Sequence, residues 1–125
     1  MTPSRSRSVL FTVDPDLARA VGVYVGEHAK LRVMDTARKF RSTLSRGHDT
    51  LVLIDLRSED ATRLLGDIMT SGRHMPVIAL GVPGSEPFLE AHRLGVFAAE
   101  PLPLDRWSFQ LRLRAAFDLL RVTLD

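Results

Sequence analysis

The chain has 125 residues, 45% hydrophobic and 26% charged, with no cysteine and a net charge of +2. That length suits one domain around a single core. The missing cysteines exclude disulfide frameworks, thiolate metal sites and thiol nucleophiles. The balanced, scattered charge argues against direct nucleic-acid binding. No apolar run approaches the roughly 18 residues of a membrane span, and Val9–Val13, behind Arg5 and Arg7, is too short for a signal-peptide core. A cytoplasmic protein without a membrane partner is expected.

Residues 1–7 read as a disordered N-terminus and 8–125 as one domain. Ser8–Val13 is the first strand. Asp14 follows as a helix N-cap with Pro15 at the first helical position, and this helix runs to about His28 with Leu17, Val21, Tyr24 and Val25 on one face. Leu31–Met34 is a short strand. Thr36–Ser45 is a helix burying Phe40 and Leu44, closed by Gly47. Thr50–Asp55 is the central strand: an apolar run without alternation, as in a strand covered on both faces, ending in a carboxylate. A charge there belongs at the carboxyl edge of the sheet, where open parallel sheets place their chemistry.

Beyond it, Ser58 reads as an N-cap, and Leu64, Leu65, Ile68 and Met69 form the buried stripe of a helix ended by Gly72. Pro76–Leu80 is the fourth strand, Gly81–Gly84 a loop, and Glu86–Leu94 a helix stopped by Gly95. Val96–Ala99 is the fifth strand, Glu100–Pro103 a rigid turn, and Asp105 the cap of a long last helix. Strands and helices alternate strictly, which predicts an α/β fold with a parallel sheet covered by helices.

This pattern, with an acid after strand one, an acid ending strand three and an X-Pro after strand five, resembles the receiver domain of bacterial response regulators. The resemblance spans about Ser8 to Val122. It implies a five-stranded flavodoxin-like sheet, order 2-1-3-4-5, with helices on both faces. It makes Asp55 the equivalent of the phosphoacceptor and Asp14 the remnant of an acidic pair that holds Mg²⁺ in the family. The departures are as informative. Pro15 stands where the pair's second carboxylate belongs, and Asp16 reaches the site only through a shifted loop. Gly81 stands where the family has a hydroxyl residue. Glu100 replaces the lysine that contacts the phosphoryl group; two unit charges about 4 Å apart interact by roughly 4 kcal/mol at an effective dielectric near 20, so the reversal opposes phosphorylation.

The resemblance thus implies an atypical, non-enzymatic receiver, phosphorylation-independent, from the N-terminal part of a bacterial transcriptional regulator such as an enhancer-binding activator. It needs no cofactor, and Mg²⁺ only if Asp55 accepts phosphate after all. Asp55 is either a solvated remnant or paired with Arg57 in a permanently set switch. A third reading is a small-ligand sensor using a vacated pocket near Asp14, Asp55 and Gly81.

The last helix carries two apolar stripes. Phe109, Leu113, Ala116, Phe117, Leu120 and Leu124 form one; Leu104, Trp107, Leu111, Ala115, Leu119 and Val122 form the other. At about 100° per residue they lie nearly opposite. A helix on a sheet buries one face, so the second is expected to make a homodimer contact. The helix has no Gly or Pro stop, which suggests that it leads into a C-terminal effector or partner. His28, His48, His74 and His92 are too scattered for a helical zinc pair, and Gly81–Gly84 lacks the lysine of a phosphate-binding loop.

Overall fold

The computed structural model describes residues 7–26, 28–44, 50–71 and 75–124, the side chains of 122–124 excepted. Five strands, β1 (Arg7–Phe11), β2 (Lys30–Met34), β3 (Thr50–Asp55), β4 (Val77–Gly81) and β5 (Ala98–Pro101), alternate with five helices, α1 (Pro15–Val25), α2 (Ala37–Leu44), α3 (Ala61–Thr70), α4 (Glu86–Arg93) and α5 (Arg106–Leu124). The sheet is parallel throughout, in the expected order β2-β1-β3-β4-β5.

Every residue of β3 is buried, which is why its sequence shows no alternation: each side chain enters one of two apolar layers. Val9, Phe11, Val52, Ile54, Val77 and Ala79 pack with Phe40, Leu44, Leu64, Leu65, Ile68 and Ala91 of α2, α3 and α4. Leu10, Leu51, Leu53, Ile78 and Leu80 pack on the other side with Leu17, Val21 and Val25 of α1 and Phe109, Leu113, Phe117 and Leu120 of α5. Burying such side chains stabilises the fold by about 1.5–3 kcal/mol each before entropy is subtracted.

The N-terminal cap of α1 forms as the sequence implies. Asp14 is extended, Pro15 begins the helix, and the Asp14 side chain accepts from the N–H groups of Asp16 and Leu17. Asp105 likewise accepts from the Ser108 N–H, 2.9 Å. Gly95, at φ +79°, follows α4 where left-handed backbone is needed.

Several boundaries differ from expectation: β1 ends at Phe11 rather than Val13, β2 starts at Lys30, and Gly81, expected in a loop, is the last residue of β4. Strand β1 already includes Arg7, one residue earlier than expected, and α1 stops at Val25, before His28. Helix α3 starts at Ala61 behind Asp60, not behind Ser58, whose hydroxyl is buried without a hydrogen-bond partner. The fifth strand is Ala98–Pro101, two residues later than its apolar run suggested. Glu100 and Pro101 therefore pair with Leu80 and Gly81 inside the sheet, and the turn begins at Leu102. Pro101 fits because β5 is an edge strand, where a missing N–H costs no ladder bond. Gly47, His48, Gly72 and His74 lie outside the described residues.

Candidate functional site

The carboxyl ends of β1 and β3 bring Thr12, Asp14, Asp55 and Arg57 together. Asp55 is 1% exposed, so it is not the solvated strand-end carboxylate that one reading anticipated. Its Oδ1 accepts from the backbone N–H of Arg57 and from Arg57 Nε, each at 3.0 Å. Its Oδ2 accepts from Thr12 Oγ1 at 2.7 Å and from Arg57 Nη2 at 3.0 Å. A carboxylate has about four lone-pair directions, and all four are used.

Arg57 meets Asp55 through two adjacent N–H groups, the bidentate geometry that makes arginine–carboxylate pairs strong and directional. The same Nη2 donates to Asp14 Oδ2 at 2.8 Å, so one guanidinium bridges both carboxylates. The other Asp14 oxygen accepts the two N–H groups of the α1 cap. These bonds, the arginine's first, hold the Asp14 carboxyl below its ordinary value of 3.8, and the two carboxylates raise the Arg57 pKa further. Thr12 completes the link by accepting from the Asp14 N–H at 3.1 Å while donating to Asp55. Nothing in the sequence marks Thr12, which there reads only as part of the first strand.

The remaining family positions are also built into the fold. A Cβ on Gly81 would lie 3.1 Å from both Leu56 Cδ1 and Phe88 Cδ1. Those two side chains fill the space that a hydroxyl residue would need. Glu100 is 2% exposed, yet its carboxylate is engaged by α5: Ser108 Oγ donates to both oxygens, 3.1 and 3.0 Å, and Arg112 Nε to one, 3.3 Å. Glu100 thus has a cationic partner of its own in Arg112, on the α5 side of the strand. Asp16 points outward, 87% exposed and 3.7 Å from Arg19, and does not join the site.

Mg²⁺, which the resemblance associates with this position, does not fit these residues. Arg57 spans the two carboxylates, Pro15 supplies none, and Asp16 faces away. Among the described residues no group of three or more His, Cys, Asp or Glu is placed to hold a metal ion. His28 stacks on Phe117 and His92 lies edge-on to Phe88. The vacated acidic pocket is likewise filled by Arg57. What remains beside it is an open groove of about 500 Å³ lined by Asp14, Asp16, Tyr24, Arg57, Leu102 and Leu104 among others.

On α5 the described part of the first stripe is core, with Phe109, Leu113, Ala116, Phe117 and Leu120 all buried, while the Leu124 side chain lies outside the described residues. Of the second, Trp107 is 72%, Leu111 64% and Leu119 42% exposed, and Ala115 is exposed beside them. Leu104 departs from expectation: it precedes the helix and is partly buried against the α1–α5 layer. The Val122 side chain lies outside the described residues. Among the described residues no helix is long and apolar enough to cross a membrane.

The architecture is the CheY-like receiver fold of response regulators. The chain superposes on the signal receiver domain of a putative LuxO repressor protein from Vibrio parahaemolyticus with a TM-score of 0.83, at 18% identity over 96% of this chain and 95% of that one. It is similar to the receiver domain of an HD domain-containing protein from Pseudomonas fluorescens, TM-score 0.85 and 17% identity, covering 98% and 94%. It also matches NtrX from Brucella abortus, TM-score 0.80 and 18% identity, over 96% of this chain but 28% of that protein. No protein-family model and no curated protein matches the sequence. At such identities the likeness is one of fold.

Proposed function

We propose that this chain is a non-enzymatic signalling module, an atypical receiver in the bacterial cytoplasm that works without phosphorylation. It acts through dimerisation and through contact with an effector domain or partner protein, as the N-terminal part of a transcriptional regulator. The observation that carries the reading is the saturation of buried Asp55 by Arg57 and Thr12. An attacking carboxylate oxygen must first shed a charged hydrogen bond, each worth about 1.5–3 kcal/mol. It must then accept phosphoryl charge without a metal, a strand-end hydroxyl or the family's lysine to stabilise it.

The outer face of α5 supports dimerisation. Trp107 and Leu111 form an exposed apolar pair, and Leu89 and Phe97 are exposed on α4 and just before β5. Exposed Arg106 and Arg114 on α5 and Glu86 on α4 offer opposite charges for a two-fold pairing with a second copy.

Incubation with acetyl phosphate and Mg²⁺ followed by intact mass measurement tests the chemistry. The expected outcome is no phosphoryl adduct. A stoichiometric adduct that disappears in Asp55→Asn would make the chain a competent phosphoacceptor and overturn the reading.

A further inference from the structure

We propose that Arg57 is a resident cation, occupying with its own side chain the place between Asp14 and Asp55 that a divalent metal would otherwise take. The inference rests on the closed-site reading and goes beyond it: the site remains a cation site, filled from within the chain.

Three observations converge. First, the guanidinium does not serve one carboxylate. It takes Asp55 through Nε and Nη2 and Asp14 through the same Nη2, at 3.0, 3.0 and 2.8 Å. The two acids lie 41 positions apart in sequence, on different strand ends. Without the arginine, buried Asp55 and half-buried Asp14 would be left as neighbouring carboxylates, an arrangement relieved by a cation or by a proton on one of them.

Second, the residual negative charge is accommodated locally. One positive charge faces two negative ones, and the remainder is met by the Thr12 hydroxyl and by the positive end of α1, whose N–H groups Asp14 caps. A monovalent cation is therefore enough to hold the site.

Third, the arginine is reachable. Its side chain is 41% exposed, and it lines the open groove together with Asp14. If the guanidinium were removed, a solvent cation would have a path to both carboxylates. Hard divalent cations bind through as few as one or two carboxylates while keeping several waters. With the guanidinium gone, Asp14 and Asp55 would offer two carboxylates to a hydrated Mn²⁺ or to a small guanidinium, a weak site that the wild-type side chain closes.

The test is thermal unfolding of the full chain and of Arg57→Ala, each in EDTA, in Mn²⁺ and in millimolar methylguanidinium. Wild type should unfold at one temperature in all three. Arg57→Ala should lose several degrees in EDTA, recover most of the loss in Mn²⁺ and part of it in methylguanidinium. A ligand that binds only the folded state raises stability in this concentration-dependent way. Both recoveries should vanish when Asp14→Asn is added. Arg57→Lys, which keeps the charge but loses the fork, should fall between wild type and Arg57→Ala. If Arg57→Ala does not fold in EDTA, recovery of its far-UV circular dichroism with Mn²⁺ is the same readout. An Arg57→Ala protein indifferent to both cations, or a wild type stabilised by Mn²⁺ as much as the variant, overturns the proposal. Failure here without a phosphoryl adduct on the wild type sinks only the resident cation; an adduct on the wild type sinks the closed-site reading itself.

Discussion

The carboxyl end of β3 and the outer face of α5 have been treated in opposite ways. At β3 each position of a receiver's chemistry has been turned inward: Asp55 and Asp14 onto Arg57, Gly81 under Leu56 and Phe88, Glu100 onto Ser108 and Arg112. On α5 the inner stripe is committed to the core from Phe109 to Leu120, but Trp107 and Leu111 are left open to solvent. On the proposed reading the fold has lost its reaction and kept its recognition, which is physically possible because the two rest on different physics. Chemistry needs free lone pairs and an available charge; association needs exposed apolar area. One site has satisfied everything, and the other has left its area unspent.

Substitutions should separate the two regions by size of effect. The largest belongs to the inner stripe: Phe109→Ala should cost about 3–5 kcal/mol, as for other buried aromatics, read by urea unfolding. Next is Arg57→Ala. Removing one partner of a fully buried pair costs about 3–5 kcal/mol. Arg57 is 41% exposed and water can reach what it leaves, so about 2–3 kcal/mol is expected after discounting for screening. A loss below about 0.5 kcal/mol would show that the bridge is ornamental to folding.

The outer face should behave in reverse. Trp107→Ala with Leu111→Ala should change monomer stability by no more than about 0.5 kcal/mol per site, as surface substitutions do, while abolishing self-association in sedimentation equilibrium. A variant as dimeric as the wild type would move the interface elsewhere.

The smallest effect is a pH slope. Asp14 has its carboxyl pKa lowered in the fold, chiefly by the hydrogen bond from Arg57. Its contribution to stability is complete above the ordinary value of 3.8 and is lost as pH falls through the lower folded value. Acid unfolding of Asp14→Asn should therefore show a shallower slope below about pH 4 than the wild type. Parallel curves would remove Asp14 from the account.

Much of this was legible in the sequence, for identifiable reasons. The order of elements follows from apolar runs separated by Asp-Pro, Gly and Ser punctuation, and the Asp14 cap from its place before Pro15. The departures at Pro15, Gly81 and Glu100 are matters of residue type, so they needed no coordinates. What the sequence hid depends on direction. Val96–Ala99 is as apolar as a strand, and only register against β4 shows that pairing starts at Ala98. Arg57 lies two residues beyond Asp55, but its reach to Asp14 depends on how the loop after β3 turns. Thr12 and Ser108 become partners of buried carboxylates only once strands and helix are stacked. Leu104 fell in the spacing of the outer stripe, yet it lies before the helix starts and turns inward.

The most direct test of a closed site beside an open face is sedimentation equilibrium of the wild type with and without acetyl phosphate and Mg²⁺, followed by intact mass on the recovered protein. The expected result is a dimer whose association constant is the same in both conditions, with no added phosphoryl group. Association that strengthens or weakens together with a phosphoryl adduct would contradict the account, because the two regions would then still be coupled through Asp55.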